Sequence, residues 1–259
     1  MPSSNFENIF IANKAETFSE LFDYENFRMG VFNIKSKARE GNDNEDALFV
    51  SVEKNILRIG VSDGAGGHPK GKEAAFEVAD EVKTIDKRNM LEQVEAANNR
   101  VRGLKAGAMA TLALAQINDD RVSFHTVGDS EVVYWNAQGR EIYSSIPHSI
   151  VGAKIEAGVT TQKESLEDPE RHIVTNMMGD EFVRIQSTST FELKKGHTIL
   201  VGSDGVFDNI SHRQLDEIVA KGKFDDSFNE ICEICTRQDP ESWRKDDDIT
   251  FVLLRKIRS

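Results

Sequence analysis

Cysteine and proline are scarce: the chain of 259 residues has two of the first and five of the second. Two cysteines cannot frame a disulfide-stapled secreted domain, which favours a reducing compartment. No apolar run approaches the ~20 residues needed to cross a bilayer. The opening MPSSNFENIF also lacks the basic-then-apolar profile of a signal peptide. A cytoplasmic protein without a membrane partner is therefore expected. No Gly/Ser tract, low-complexity segment or internal repeat interrupts the chain, so nothing reads as a linker. A Lys/Arg-rich cluster is missing too. With 32 basic and 44 acidic side chains the formal charge is −12, which repels a polyanion and disfavours a nucleic-acid partner. What the chain does have is 39% hydrophobic and 8% aromatic residues, enough for a substantial core and too many for wholesale disorder.

Residues 1–27 mix Phe, Asn and Glu without a sustained period and read as an N-terminal extension. From Arg28 short β-like runs begin: RMGVFNIKS, DALFVSV and NILRIGVSD, with Lys54-Asn55 as a hairpin tip. After Pro69, Ala75, Val78, Ala79 and Val82 recur at helical spacing, and MLEQVEAANNRV predicts a second amphipathic helix. Strands resume with RVSFHTV, EVVYWN and REIYSS, the last two joined by a turn at Asn136–Gly139. Residues 147–185 read as an elaborated polar loop. TSTFELKKG and HTILVGSD return to strand character, and Ser211 with Gln214 forms a capping box for a helix that Gly222 ends. DITFVLLRKI closes the chain as a buried strand. Consecutive hairpins rather than alternating strands and helices predict an α+β fold with packed antiparallel sheets and helices outside. One domain is expected over residues 28–259.

The informative feature is where the acids sit. Asp63 follows LRIGVS, Asp129 follows FHTVG, Asp204 follows TILVGS, Glu45-Asp46 open ALFVSV, and Asp246-Asp247-Asp248 precede ITFVLL. A carboxylate at the end of a buried strand is costly unless something compensates it. Several brought together repel one another, and a divalent cation is the natural compensator. Oxygen-only ligands suit Mg²⁺ or Mn²⁺, and no His or Cys accompanies the acids at zinc-ligand spacing. A single Asp-Gly is usually a turn, and Asp208 alone reads as a helix N-cap; the recurrence at independent strand ends is what turn chemistry does not explain.

NEDA (44–47), DGAGGHPKGKEAA (63–75), GDSEV (128–132), SDGVFD (203–208) and DDIT (247–250) resemble, in that order, the motifs of the type 2C metal-dependent serine/threonine protein phosphatases, the PPM family. Residues 147–185 look like that family's flap. The resemblance implies a central sandwich of two antiparallel β-sheets with helices on both outer faces and two Mn²⁺ or Mg²⁺ ions at one end. By position it implies that Asp63 bridges the ions, that Glu45 and the Gly64 carbonyl complete one site, and that Asp204 and Asp247 complete the other. Asp129 and Asp208 match acids that hold a third, weaker ion in many members, and Asp46 would orient the ligands from behind. The implied chemistry is hydrolysis of phosphoserine and phosphothreonine in target proteins of serine/threonine kinases. Two cations about 3.5–4 Å apart activate a water for in-line attack, and no covalent intermediate forms.

The sequence departs from that pattern in places. The family's phosphate-gripping arginine stands four residues before the metal-binding acid, where this chain has Gly41; Arg39 is the nearest candidate, with Lys37 as fallback. Ala65 takes the place of a histidine proposed elsewhere as general acid, and His68 reads as a loop histidine bonded to backbone. Asp248 stands where Asn is usual, and the spacing to Ile249-Thr250 favours Asp247 as ligand. The shifted arginine motivates the rival reading, a pseudophosphatase acting as a binding module. Three decoys are set aside. GGHPKGK begins like a P-loop but continues with Glu73 where Ser or Thr would hold magnesium. Asp43–Asp46 faintly resembles a calcium loop but carries Leu48 at its glycine position. Cys232 and Cys235 fit the buried side of a helix better than a zinc or redox pair.

Overall fold

The structure, a computed structural model, describes residues 8–12, 16–37, 44–65, 68–237 and 245–258. In chain order the strands are β1 (Ile9–Ala12), β2 (Phe18–Tyr24), β3 (Phe27–Ile34), β4 (Asp46–Glu53), β5 (Ile56–Asp63), β6 (Leu112–Asn118), β7 (Arg121–Val127), β8 (Glu131–Trp135), β9 (Glu141–Ser144), β10 (Gln186–Ser187), β11 (Phe191–Glu192), β12 (Thr198–Gly202) and β13 (Ile249–Lys256). The helices are α1 (Gly71–Lys83), α2 (Met90–Gly103), α3 (Ile150–Glu156), α4 (Gln162–Ser165), α5 (Asp204–Phe207), α6 (His212–Ala220) and α7 (Phe224–Thr236). Two antiparallel sheets result, one in the order β1-β4-β5-β6-β7-β10 with β11 also on β7, the other β2-β3-β13-β12-β8-β9.

Both sheets are covered on both faces, which explains why their strands read as continuous apolar runs rather than alternating ones. Along β13, Val252 and Leu254 enter the layer between the sheets, while Ile249, Phe251 and Leu253 meet the outer helices. In β8 the same division sends Val132 and Tyr134 inward and Val133 and Trp135 outward. α1 and α2 lie on the first sheet, where Ala74, Ala75, Val78 and Ala79 pack with Phe49, Leu112 and Leu114. Their small side chains let helix and sheet approach closely. α6 and α7 cover the second sheet through Leu215, Ile218, Phe228 and Ile231. The sandwich with helices on both outer faces is thus the observed architecture.

Local chemistry sets the ends of elements. Lys54 and Asn55 have φ of 53° and 62°, the left-handed pair of a tight hairpin turn. Ser211 and Gln214 form the reciprocal cap of α6, and Asn89 with Glu92 does the same for α2. Cys235 is buried and Cys232 half-buried on α7, and burial pushes the Cys232 thiol up to about 12, so the pair serves as core rather than chemistry.

Three readings change. The extension over residues 1–27 supplies β1, which pairs with β4, and β2, which pairs with β3, one outer strand for each sheet. These strands are only partly buried, so their sequences carry little apolar signal. TSTFELKKG yields only the short β11, with β10 just before it, because the Thr188 hydroxyl takes the Phe124 N–H and interrupts the ladder between them. Residues 147–185 contain two short helices, capped by Ser149 and Thr161.

Gly30 of β3 lies under Phe228 of α7, where a Cβ would stand 2.3 Å from the ring. Gly30→Ala should lower stability by about 1–3 kcal/mol through overpacking, read as a lower urea midpoint at unchanged slope. Adding Phe228→Leu should cost less than the two single changes summed, since the pair share one contact.

Candidate functional site

β4 begins, and β5 and β12 end, at the same end of the sandwich, which also receives the turn between β7 and β8 and the start of β13. Asp63, Asp129, Asp204 and Asp247 line one cleft there, of about 490 Å³, together with Ala65, His68, Thr111, Lys245 and His172, Ile173, Val174 and Met177 of the segment 147–185. Four acids distant in sequence therefore share one cavity. Asp208 faces an adjoining pocket with Asp129 and Asp204. It is the C-cap of α5, not the N-cap of α6, which is Ser211.

Glu45 reaches this end by its backbone. Its carbonyl accepts from Gly64 N at 3.2 Å, and its own N–H donates to Asp248 Oδ2 at 2.8 Å. Its carboxylate lies against Gly71 at the start of α1 rather than on the wall of the cleft. Asp248, only 3% exposed, also accepts from Ser36 N at 2.8 Å. It therefore clamps the Glu45 segment and the end of β3 to β13, while its neighbour Asp247 faces the cleft. Asp46 pairs with Asp63 across β4 and β5, and Ser203 Oγ donates to its Oδ2 at 2.9 Å. Arg39 and Asp43 lie outside the described residues; Lys37 is exposed, with its N–H donating to Asp246 Oδ1 at 3.1 Å. His68 Nδ1 is 3.1 Å from the Gly107 carbonyl, the expected backbone-bonded loop histidine.

Two residues that the sequence did not single out matter here. Thr111 Oγ1 accepts from Asp63 N at 2.9 Å and lies 2.6 Å from Ser130 Oγ, tying the end of β5 to the turn that carries Asp129. Gly128 in that turn has φ of 90°, and a Cβ there would stand 2.6 Å from Thr111 Cγ2, so both its conformation and its closeness require glycine. Lys245 Nζ lies 2.7 Å from Asp204 Oδ2, 2.8 Å from Asp247 Oδ2 and 3.4 Å from Asp208 Oδ2. Its only signal in the sequence is its place in an Arg244-Lys245 pair just before three aspartates.

The electrostatics show how crowded the charges are. Burial, then the charges of Asp46, Asp204 and Asp247, hold Asp63 well above the usual carboxylate range. Burial and Asp204 do the same to Asp129, and raise Asp208 to about 6. Burial raises Asp204 as well, but the Lys245 ammonium and hydrogen bonds from Asp63, Lys245 and Gly205 outweigh it and leave Asp204 below the usual range. Asp46 is pushed to about 8 by burial and then by Asp248.

The donor set fits hard divalent cations: it is all oxygen, strongly anionic and short of compensating charge. Asp204 Oδ1 and Asp46 Oδ1 are buried with no hydrogen-bond partner among the described residues. Among those residues no group of three or more Asp, Glu, His or Cys side chains has the arrangement of ion ligands; Asp204, Asp208 and Asp247 face the Lys245 ammonium.

A family model described as Protein phosphatase 2C matches residues 35–246. The curated protein phosphatase PhpP of Streptococcus pneumoniae is 26% identical over 176 residues, 61% of this chain and 71% of that protein. Among solved structures, the serine/threonine phosphatase of S. agalactiae superposes with a TM-score of 0.71 at 22% identity, covering 88% of this chain and 99% of that one. Stp1 of Staphylococcus aureus, a serine/threonine phosphatase, gives 0.73 at 21%, covering 95% and 97%. At such identities the two superpositions speak for the fold. No helix of the described residues is long and apolar enough to cross a membrane.

The raised pKa of Asp46 has a testable sign. An acid whose folded pKa exceeds its unfolded value contributes stability that is complete below about 4 and lost as pH rises through the folded value, here about 8. In chelator, Asp46→Asn should raise Tm at pH 9 by more than about 2 °C, and the gain should shrink as pH falls and vanish at about pH 4. Differential scanning calorimetry at the two pH values checks this.

Proposed function

Because the chain belongs to the protein phosphatase 2C family, we propose that it hydrolyses phosphoserine and phosphothreonine in protein substrates, with two divalent cations, Mn²⁺ or Mg²⁺, held at the end of the sandwich. The observation that carries this reading is the convergence of Asp63, Asp129, Asp204 and Asp247 on one cleft in which a buried Asp204 oxygen lacks a partner. When bound, the cations supply a water activated near neutral pH and neutralise charge on the phosphoryl oxygens.

The chain's own residues have separate tasks. Asp63, Asp204 and Asp247 would hold the cations, and Glu45 would join them, with the Gly64 carbonyl, once its carboxylate turns from Gly71 toward the cleft. Asp129 and Asp208 would hold a third, weaker ion. Asp46 supports this arrangement from behind, held by the Ser203 hydroxyl. Asp248, through Glu45 N, keeps the Glu45 segment beside Gly64. Thr111 fixes the backbone of Asp63. The flap residues His172, Ile173, Val174 and Met177 wall the cleft where the peptide around the phosphorylated residue would lie. Arg39 grips the substrate phosphate, with Lys37 as the alternative. A cytoplasmic site of action, where kinase targets are plentiful, fits the reading.

The test is hydrolysis of phosphoserine and phosphothreonine peptides with Mn²⁺, Mg²⁺ or chelator. Turnover should require a divalent cation, and Asp63→Asn should lower kcat by at least about 10²-fold. Cation binding without turnover would favour the pseudophosphatase instead. Arg39→Ala should raise KM for a phosphopeptide more than it lowers kcat, as loss of uniform binding does; an unchanged KM would move the anchor to Lys37.

A further inference from the structure

Lys245 presents a charge where the proposed ions belong. Its ammonium touches Asp204, Asp247 and Asp208, which come from the start of α5, the approach to β13 and the end of α5. The three carboxylates are 14% to 18% exposed, and the Lys245 side chain is 30% exposed. Such a cage is costly without a cation, and the ammonium supplies one. A divalent ion held by Asp204 and Asp247 would need their oxygens at roughly 2.0–2.2 Å. Nζ stands 2.7 and 2.8 Å from those same carboxylates. Ion and ammonium would then be crowded together in a site of low dielectric, where like charges repel strongly. The two occupancies exclude each other. The lysine can yield, because its stem is flexible, its side chain is partly exposed and it borders an open cleft.

We propose that Lys245 is a tethered counter-ion that occupies the Asp204–Asp208–Asp247 cage in the metal-free protein and must leave for the divalent ion to enter. Lys245 then sets metal affinity without being a ligand. This rests on the cleft being the metal site. The apparent affinity is reduced by the fraction of molecules in which the lysine has swung out, so removing the lysine removes that reduction. The same removal leaves three carboxylates uncompensated when no metal is present. Tighter metal binding together with a less stable metal-free protein is a combination that general damage to the fold does not produce.

The experiment is calorimetric titration of Mn²⁺ into chelator-stripped protein, with thermal unfolding of the stripped samples alongside. Wild type, Lys245→Met, Lys245→Gln and Lys245→Arg are compared, with Asp63→Asn as the control for the cleft. Lys245→Met and Lys245→Gln should bind Mn²⁺ more tightly than wild type, on the order of tenfold, and should unfold at lower temperature when stripped. Lys245→Arg, which keeps the charge, should stay near wild type in both. An unchanged or weaker Mn²⁺ affinity in both neutral variants overturns the proposal while leaving the metal site standing. Absence of Mn²⁺ binding in every protein, or binding that Asp63→Asn does not affect, overturns the metal site itself and the proposal with it.

Discussion

The structure is organised around the mutual repulsion of carboxylates forced together at one end of the sandwich. Asp63 and Asp129 are held well above the ordinary carboxylate range by burial and by their neighbours' charge, and Asp46 is pushed to about 8. A fold maintains such an arrangement only if rigid elements impose it and some cation relieves it. The sheets do the first: Asp63 ends β5, and Asp129, Asp204 and Asp247 lie within two residues of β7, β12 and β13, whose positions are fixed by their strand registers. The Lys245 ammonium relieves part of the charge. On the proposed reading divalent ions relieve the rest, and the same concentration of charge becomes the site's chemistry.

Rigidity here comes from backbone ties as much as from packing. Asp248 gathers the N–H groups of Ser36 and Glu45, and Thr111 links Asp63 to Ser130. These contacts join the ends of β3, β4, β5, β6, β8 and β13 across both sheets just behind the cleft. Carboxylates held this way cannot relax away from one another by small shifts of their loops, which keeps the site poised for a cation.

Much of this was readable from residue pattern alone. Apolar runs such as ITFVLLRK signal strands covered on both faces, and an acid at the end of each such run marks one end of a sandwich. The strands β1 and β2 were not readable, because partly exposed outer strands carry no strong alternation. Asp248 read as an ambiguous neighbour of Asp247, because only the fold reveals that it turns toward two backbone N–H groups. Lys245 and Thr111 acquire meaning only when the fold brings partners such as Asp204 and Asp63 to them. The two short helices within residues 147–185 were missed because their caps, Ser149 and Thr161, precede segments too short to establish a period.

The most direct measurement is an anomalous-difference map from crystals of the protein grown with Mn²⁺. Two strong peaks in the cleft, with the Asp63 carboxylate between them, Asp204 and Asp247 at one of them and the Lys245 ammonium outside the cage, are the expected result. Peaks confined to other surfaces, or an ammonium still seated among Asp204, Asp208 and Asp247 at saturating Mn²⁺, would contradict it.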